Sequence, residues 1–328
     1  MRPFQRIAVE DISQVGEARR AGQALALELR FGEEAGGRLA VAVTELGTNL
    51  VRHAGGGALL LGVVEGGIEV LSLDRGPGMD IERCLRDGYS TAGTAGNGLG
   101  AVRRLARHFA AFSQPGGGTV LRARFEHEAG APPAVLPGFS IAGLGLASPG
   151  ERVCGDGWGL RTHEGRTLLL MADGLGHGPE AAEAADLALD LFQRARAAAP
   201  ALMLEDSHAS MRSTRGAAVA IASLGDSGPV VFAGVGNIVG RLISGVSDKT
   251  LLSQPGTLGV QIRRLQDCVY DWPEHALLVM HSDGIATRWS LAEVPGLLQC
   301  EPMLIAAWIL RDHSRGRDDA TIVVVRRH

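Results

Sequence analysis

A carboxylate, an amide and an imidazole recur at helical spacing early in the chain. Glu45, Asn49 and His53 are four residues apart, so a helix over 33–53 would carry all three on one face. Such groups are suited to face a nucleotide, although a polar stripe on an apolar helix can also be no more than its solvated side. His53 is expected to be structural, because a histidine at the C-terminal end of a helix is favoured by the helix dipole.

Two glycine-rich turns follow at points where a nucleotide would need them. Asp74 ends an apolar strand and leads into RGPG at 75–78, which also fits an ordinary β-turn. Residues 96–100, GNGLG, open a predicted helix, where backbone N–H groups and the helix dipole can face a phosphate. Alone, such a stretch can equally be a flexible loop. Together with the polar helix face, the two turns predict a nucleotide pocket.

Aspartates stand beside glycines and strand ends in the second half of the chain. The positions are Asp156 in CGDGWG, Asp173 after TLLLMA, Asp283 after ALLVMHS, and the pair Asp318-Asp319 before ATIVVV. A single aspartate in such a place is usually a turn former or a helix cap. Several carboxylates at one rim of a sheet would repel each other unless cations lay between them. Hard oxygen ligands suit Mg²⁺ or Mn²⁺, so the pattern predicts a divalent metal site.

The elements that must position these residues fall into two domains. Residues 126–138 contain three prolines among small and polar residues and are predicted to be a linker between domains at 1–125 and 139–328. In the first domain the order α-α-β-β-α-β predicts a helix layer on one face of a mixed sheet. The helices are expected over 11–30, 33–53 and 98–111, and the strands over 58–64, 68–74 and 119–125.

The second domain is predicted to be an α/β sandwich of two packed sheets with helices outside. Its pattern is one of many short apolar strands, interrupted by two helical stretches. The strands are expected over 139–146, 166–172, 217–224, 229–235, 238–243, 276–281 and 320–326, and the helices over 178–198 and 301–312.

Charge and composition exclude several classes of function. The 328 residues carry a net charge of −4 and 4% aromatic residues, which argues against a broad nucleic-acid surface and against a base-stacking platform. Lys249 is the only lysine, so a Schiff-base or phosphate-loop lysine is close to excluded. The four cysteines never have CxxC spacing, and no apolar stretch approaches the roughly 20 residues of a membrane span. We therefore expect a soluble, cytoplasmic protein with no nucleic-acid or membrane partner.

The motifs of residues 1–125 resemble those of a known ATP-binding fold. The order E-x3-N, D-x-G-x-G and G-x-G-x-G before a helix is similar to that of gyrase, the heat-shock 90 chaperones, histidine kinases and anti-sigma-factor serine kinases. The stretches TELGTNLVRHAGGG, DRGPGM, DGYSTAG and GNGLGAVRRLA look most like the bacterial switch-type serine kinases. Those kinases phosphorylate small antagonist domains of the STAS type in stress signalling.

That resemblance implies a role for each matching residue. Glu45 would be the general base that orients a serine hydroxyl, and Asn49 would hold Mg²⁺ against the phosphates of ATP. Asp74 would accept a hydrogen bond from the adenine amino group. The other nucleotide-binding residues implied are two turn glycines, the lid glycines with their leucine, and a threonine at the adenine end, namely Gly76, Gly78, Gly96, Gly98, Leu99, Gly100 and Thr119.

Residues 139–328 resemble the protein phosphatase 2C superfamily, in the branch of the sporulation and stress-response phosphatases. The resemblance lies in ADGLGHG, GVGNI, HSDG and RDDATIVVV. It implies an α-β-β-α sandwich that holds two divalent metal ions, Mn²⁺ or Mg²⁺, and hydrolyses phosphoserine or phosphothreonine. Asp173 would bridge the two ions, and the Gly174 carbonyl would ligate one of them. Asp283 and Asp318 would hold the other.

Three further positions follow from the same resemblance. Asp156 would contact a metal ion directly or through water. Asp319 would take the place of Asp318 if the aspartate pair is aligned one place off. His177, four residues after Asp173, is as well explained by a helix start that faces solvent as by a general acid.

The two resemblances imply an α+β protein that joins a histidine-kinase-like ATPase domain to a phosphatase domain. We expect a bifunctional bacterial signalling protein that phosphorylates and dephosphorylates a STAS-type antagonist or scaffold, with a sigma-factor regulator as a further candidate partner. The alternative is a phosphatase whose ATP-binding domain regulates it or docks a partner without kinase turnover. A degenerate scaffold is disfavoured, because the main site residues are all retained: Glu45, Asn49, Asp173, Asp283 and Asp318.

Overall fold

Two sets of sheets and helices form the described parts of the chain. The computed structural model describes residues 2–85, 98–126 and 138–328. Gly96, the DGYSTAG motif and nearly all of the predicted linker lie outside the described residues. The chain divides into a first unit, which comprises Phe4–Val135 and Gln299–Arg311, and a second unit, which comprises Met1–Pro3, Leu136–Leu298 and Asp312–His328.

The first unit is built on one five-stranded sheet. Its elements are β1 (Gln5–Val9), α1 (Ile12–Glu28), α2 (Glu33–Asn49), β2 (Gly57–Val64), β3 (Gly67–Leu73), α3 (Ile81–Cys84), α4 (Gly98–Leu105), β4 (His108–Gln114) and β5 (Gly118–Glu126). The strand order is β1-β2-β3-β5-β4, with every neighbouring pair antiparallel. The prediction of a mixed sheet is therefore wrong, because short turns join β2 to β3 and β4 to β5 and short turns produce antiparallel neighbours.

Two strands of this sheet are not predicted from the sequence. β1 precedes the first predicted helix, and β4 occupies the end of the predicted helix over 98–111. That helix stops at Leu105. In β4, Phe109 and Ala111 pack against the core at strand spacing, and pairing with β5 satisfies the backbone. A short apolar run of this kind does not distinguish helix from strand.

Apolar side chains of α1, α2 and α4 cover one face of the sheet. Leu39, Val43 and Leu46 of α2 are fully buried in the same cluster as Leu59 and Leu61 of β2. Burial of these side chains fixes which face of α2 points away from the core, and that face carries the predicted polar stripe.

The predicted helix over 33–53 changes its winding at the stripe. The α-helical part ends at Asn49, and one π-helical turn, Leu50–Ala54, follows. It stops at Gly55, whose φ of +73° is the left-handed conformation that glycine adopts without strain. π-Helical turns are frequent at functional sites.

The second unit holds two five-stranded sheets. Its elements are β6 (Phe139–Leu146), β7 (Asp156–His163), β8 (Arg166–Gly174), α5 (Pro179–Arg194), α6 (Pro200–Met211), β9 (Ala217–Leu224), β10 (Val230–Val235), β11 (Val239–Ile243), β12 (Asp248–Leu251), β13 (Cys268–Tyr270), β14 (Leu277–His281) and β15 (Ala320–Arg327). A last helix, α7 (Pro302–His313), lies mostly in the segment that belongs to the first unit. The sheet orders are β13-β10-β9-β8-β7 and β12-β11-β14-β15-β6.

The two sheets of the second unit pack face to face, as predicted. Met171 and Phe232 of one sheet and Met280 and Val323 of the other lie in one fully buried cluster. On the outer face of the first of these sheets, α5 and α6 bury an alanine-rich surface against strands β8 and β9. The α+β class and the sandwich are thus confirmed, while α6, β7, β12 and β13 are not anticipated by the sequence pattern.

No helix of the described residues is long and apolar enough to cross a membrane.

Candidate nucleotide pocket and candidate metal site

One cavity of about 410 Å³ in the first unit gathers most of the predicted nucleotide-binding residues. It lies between α2 with its π-helical turn, the ends of β3 and β5, and the start of α4. The predicted residues on its lining are Glu45, Asn49, Asp74, Gly78, Gly98, Leu99 and Thr119. Gly76 and Gly100 adjoin these residues without belonging to that lining.

The polar stripe of α2 meets the first residue of α4. A Cβ atom on Gly98 would lie 2.8 Å from Oε2 of Glu45 and 3.9 Å from Oδ1 of Asn49. Only a glycine lets the backbone come this close to the carboxylate without displacing it. The predicted base and metal-holding amide therefore face the end of the glycine motif that the structure describes.

Asp74 is a buried carboxylate at the other end of the cavity, with 8% of its surface exposed. Its Oδ1 accepts hydrogen bonds from the backbone N–H groups of Gly76, at 2.8 Å, and Thr119, at 3.1 Å. No described residue donates to Oδ2, which is left to accept from a ligand in the cavity. Burial raises the pKa of Asp74, and the two backbone amides oppose that shift by stabilising the charged form.

The two glycines of the turn after Asp74 are required by close backbone approach. Gly78 has φ of +75°, and a Cβ atom there would lie 2.4 Å from the carbonyl oxygen of Gln114. A Cβ atom on Gly76 would lie 2.7 Å from Cα of Ala54. The turn is thus held between the β4–β5 connection and the π-helical turn.

The cavity also contains residues that sequence reasoning does not assign. Arg52 and His53, in the last turn after α2, and Arg83, in α3, supply basic groups to its lining. Met79 lines it as well, and its backbone N–H donates to Ser113 Oγ at 2.8 Å. The sequence feature that could have indicated them is the basic pair at 52–53, since basic residues at a helix end can bind an anion as well as interact with the helix dipole.

A second cavity, of about 360 Å³, lies at one rim of the sandwich in the second unit. Asp173, at the end of β8, Asp283, after β14, and Asp318, before β15, all line it. Asn237 lines it too and donates from Nδ2 to Oδ2 of Asp283 at 2.6 Å. Three of the predicted metal ligands are therefore brought together from strand ends far apart in sequence.

Mutual repulsion is built into this rim. Burial, together with the negative charges of Asp156, Asp283 and Asp318, raises the pKa of Asp173 to about 9. Asp156 faces Asp173 across the β7–β8 pair and accepts from Ser282 Oγ at 2.6 Å. Burial is the main cause that raises the pKa of Asp156, to about 7. Asp156 itself does not line the cavity.

The structure separates the roles of the two adjacent aspartates. Asp318 lines the cavity, whereas Asp319 is buried and points into the fold. One carboxylate oxygen of Asp319 accepts from the Ser148 backbone N–H at 2.8 Å, and the other accepts from Gly155 at 2.9 Å. Both oxygens are therefore used to hold loops, which favours Asp318 as the ligand.

Gly174 and His177 lie beside the same rim. A Cβ atom on Gly174 would lie 2.0 Å from the carbonyl oxygen of Ala181, so no side chain fits there. His177 is exposed, and its Nδ1 lies 3.0 Å from Oε1 of Glu151. A surface contact of this kind accounts for His177 without a catalytic role.

The donor chemistry of the rim fits a divalent cation. The burial and neighbouring negative charges that raise the pKa of Asp173 and Asp156 are offset by a positive charge, and oxygen ligands suit Mg²⁺ or Mn²⁺. Within residues 2–85, 98–126 and 138–328, no group of three or more His, Cys, Asp or Glu side chains is arranged so that it could hold an ion. Ligation would require the carboxylates to move closer to a common point.

Comparisons with known proteins identify the type of the first domain. The family of the histidine kinase-like ATPase domain matches residues 8–125. The serine/threonine-protein kinase RsbT of Bacillus subtilis (strain 168) is 37% identical over 111 residues, which are 32% of this chain and 84% of that kinase.

Solved structures resemble a larger share of the chain. One, from work on the bacterial stressosome as a modular system adapted to control secondary messenger signaling, is 30% identical with a TM-score of 0.53. It covers 57% of this chain and 99% of that chain. RsbX in complex with magnesium is 19% identical with a TM-score of 0.50, covers 60% of this chain and 98% of that chain, and shows a shared fold.

Both structures cover more of this chain than its first 125 residues supply, so the likeness includes the second unit. The predicted resemblance of the first part to an ATPase-type domain is thereby confirmed, and the two-sheet sandwich of the second part has the fold that RsbX shares. The chain belongs to the histidine kinase-like ATPase family, as a relative of the serine/threonine-protein kinase RsbT, and joins that domain to a two-sheet sandwich whose fold it shares with RsbX.

Proposed function

We propose that this chain is a bifunctional signalling enzyme, an ATP-dependent serine kinase in its first unit and a metal-dependent phosphoserine/phosphothreonine phosphatase in its second. One observation carries the proposal. Each unit has a cavity that gathers one kind of chemistry: Glu45, Asn49 and Asp74 in the first, and three carboxylates in the second. The kinship with RsbT supports the kinase half, and the fold shared with RsbX supports the other.

In the kinase half, catalysis is mainly positioning. The Oδ2 atom of Asp74 would accept the adenine amino group, while Gly76 and Thr119 keep Oδ1 occupied. Asn49 would hold the Mg²⁺ that accompanies ATP. Glu45 would orient the attacking serine hydroxyl and take its proton as the γ-phosphoryl group of ATP passes to the serine oxygen and ADP leaves.

In the phosphatase half, the chain supplies a set of oxygens at one rim that would close around the ions. Asp173, the Gly174 carbonyl, Asp283 and Asp318 would hold two divalent ions, Mn²⁺ or Mg²⁺. Bound ions of this kind supply a nucleophile from water and neutralise charge on the phosphoryl group. Asn237 orients Asp283 through its hydrogen bond, and Ser282 does the same for Asp156.

The substrate that fits both halves is a STAS-type antagonist or scaffold protein. One half would phosphorylate its serine or threonine and the other would restore the free hydroxyl, as partner switching requires. RsbT and a stressosome structure among the relatives support this choice, with a sigma-factor regulator as a further partner. We place this activity in the cytoplasm, in domains at 1–125 and 139–328 joined by residues 126–138.

The test is phosphoryl transfer from radiolabelled ATP to a purified STAS-domain antagonist. Wild-type protein should give little net label, because the second half removes it. Asp173→Asn should let label accumulate, and Glu45→Gln should give none. The proposal fails if neither the wild type nor either variant transfers or removes phosphate with any antagonist tried.

A second candidate function has an observation in its favour. The backbone of the Asp74 turn contacts Arg311, close to the point where the chain returns to the second unit. A nucleotide-binding first unit could thus regulate the phosphatase, or dock a partner, without kinase turnover. If Glu45→Gln left partner control intact while ATP still bound, this candidate would replace the kinase.

A further inference from the structure

A segment near the C-terminus completes the first unit. Residues 299–311 belong to that unit, and Glu301 fixes the start of α7 to its sheet. One carboxylate oxygen of Glu301 lies 3.0 Å from Arg122, and the other lies 2.7 Å from His108. Arg122 in turn bonds the fully buried Glu69 at 2.7 and 2.9 Å. The helix therefore begins on a charge network of β3, β4 and β5 that extends from the buried Glu69 to the exposed His108.

The other end of the segment holds the Asp74 turn. Trp308 packs edge-on against Phe112, with ring centroids 5.1 Å apart, and the Arg311 guanidinium lies 3.7 Å from the centre of the Trp308 ring. From there Arg311 donates a hydrogen bond to the backbone carbonyl of Asp74. Arg75 donates in the opposite direction, to the backbone carbonyl of Arg311. Two hydrogen bonds thus tie the end of this segment to the turn.

The same turn is part of the nucleotide pocket. Asp74 lines the cavity with its carboxylate, and its neighbours Pro77 and Gly78 line it as well. Asp74 therefore faces the ligand with its carboxylate and Arg311 with its backbone carbonyl. A ligand that moves this residue also changes the position of the hydrogen bond to Arg311.

Beyond Arg311 the chain enters the second unit and goes directly to the metal cavity. The carbonyl of His313 accepts from the Ala286 backbone N–H at 2.8 Å, and the N–H of Arg315 donates to the Gly284 carbonyl at 2.8 Å. Gly284 directly follows Asp283. The segment therefore runs beside one predicted metal ligand and ends at another, Asp318.

We propose that Arg311 is a positioning residue for the Asp74 turn and that the segment 311–318 couples two binding events. One is the binding of a nucleotide in the pocket, and the other is the binding of divalent metal between Asp283 and Asp318. This coupling rests on the proposed function. By linkage the coupling is reciprocal: if nucleotide changes metal affinity by a factor, metal changes nucleotide affinity by the same factor. Couplings of this kind typically amount to about 5–150-fold.

Two titrations on the full chain test the coupling. Hydrolysis of p-nitrophenyl phosphate is measured against free Mn²⁺, with and without a saturating non-hydrolysable ATP analogue that carries its own equivalent of metal. Binding of the analogue is then measured at low and at saturating Mn²⁺. In the wild type the apparent Mn²⁺ affinity should shift at least about fivefold with the analogue, and the analogue affinity should shift by the same factor.

Three variants separate positioning from folding. Arg311→Gln should reduce the mutual shift to less than about twofold while hydrolysis without nucleotide persists. Arg75→Gln removes the second contact from an exposed side chain, so it tests the same link with little risk to the fold. Arg194→Gln is the matched control and should keep the full shift, because Arg194 is exposed at the end of α5 and pairs with Asp190 of the same helix.

The results distinguish the coupling from the proposed function. If the wild type binds the analogue and hydrolyses p-nitrophenyl phosphate with Mn²⁺, but neither affinity responds to the other ligand, the coupling is wrong and the two activities stand. A shift that survives in both Arg311→Gln and Arg75→Gln also overturns it. If the wild type does not bind the analogue, or does not hydrolyse p-nitrophenyl phosphate with Mn²⁺, the proposed function is refuted and the coupling with it.

Discussion

Asp156 and Asp173 stand directly opposite each other on the antiparallel strands β7 and β8. Like charges in such a cross-strand pair destabilise a sheet. The pair lies at the rim where Asp283 and Asp318 add further negative charge, so the fold holds Asp173 among carboxylates that disfavour its ionisation. A site assembled against repulsion in this way is one that a cation stabilises.

The first prediction concerns the pH dependence of this rim. The pKa of Asp173 in the folded protein is raised to about 9 from an ordinary value of 3.8. Between these values the folded state binds more protons than the unfolded state, so the stability that Asp173 contributes falls as pH rises toward 9. In chelator, Asp173→Asn should therefore raise Tm at pH 8.5 by a few degrees and change it less at pH 5.

Added Mn²⁺ should act in the opposite direction in the wild type. Metal must displace protons from the carboxylates, so its stabilising effect should be larger at pH 8.5 than at pH 6. Thermal unfolding with and without Mn²⁺ at both pH values measures this, with Asp186→Asn, an exposed carboxylate on α5, as the control. An equal Mn²⁺ effect in Asp173→Asn would contradict the assignment.

The second prediction separates Asp318 from Asp319. Asp318→Asn should abolish metal-dependent hydrolysis of p-nitrophenyl phosphate and leave urea unfolding nearly unchanged. Asp319→Asn loses one of the two acceptors that hold Ser148 and Gly155, and should lower the free energy of unfolding by about 1–3 kcal/mol. The opposite pattern in activity and unfolding would exchange the two roles.

The third prediction concerns the base of the kinase half. Glu45→Gln should lower phosphoryl transfer by about 10²–10⁴-fold, the usual contribution of general base catalysis, while ATP affinity changes little. Glu34→Gln is the matched control, because Glu34 is exposed on the same helix and pairs with Arg38. Transfer assays and ATP titrations measure the two effects separately. An equal decrease of the transfer rate in Glu45→Gln and Glu34→Gln would contradict the role of Glu45 as the base.

The fourth prediction concerns the glycine turn. Gly78→Ala places a Cβ atom 2.4 Å from the Gln114 carbonyl at φ of +75°, so it should destabilise the first unit and weaken ATP binding. Gly116→Ala is a matched control, because Gly116 shares the left-handed backbone, at φ of +71°, and no described atom beyond its two chain neighbours lies within 4 Å of its Cβ position. Urea unfolding should show that Gly78→Ala lowers the free energy of unfolding by about 1–3 kcal/mol more than Gly116→Ala does. Equal decreases would mean that the left-handed backbone, and not the contact with Gln114, accounts for the effect.

The candidate sites could be predicted from the sequence because their residues occupy special local positions. Asp74 and Asp173 end apolar strands beside glycines that close approach requires, and such signals are local. Glu45 and Asn49 share one helix face. Their placement in one cavity follows from the α2 and β3 elements, both of which the pattern predicts.

What the sequence did not reveal depends on contacts distant along the chain. β4 looks like the end of a helix until β5 pairs with it, and the place of residues 299–311 depends on Arg122 and Trp308 contacts that no local pattern encodes. Arg52 and Arg83 enter the nucleotide pocket for the same reason, since α3 itself is too short to produce a periodic signal.

The membership of residues 299–311 in the first unit has a consequence for synthesis of the protein. The sheet is complete by Glu126, but the segment 299–311, with Glu301 and Trp308, is complete only about 185 residues later, at Arg311. At about 5–20 residues per second, a ribosome needs roughly 10–40 s to cover that distance. During this interval the side of the nascent sheet that carries Phe112 and Arg122 lacks its helix, so the order of translation itself exposes a surface that chaperones would have to protect.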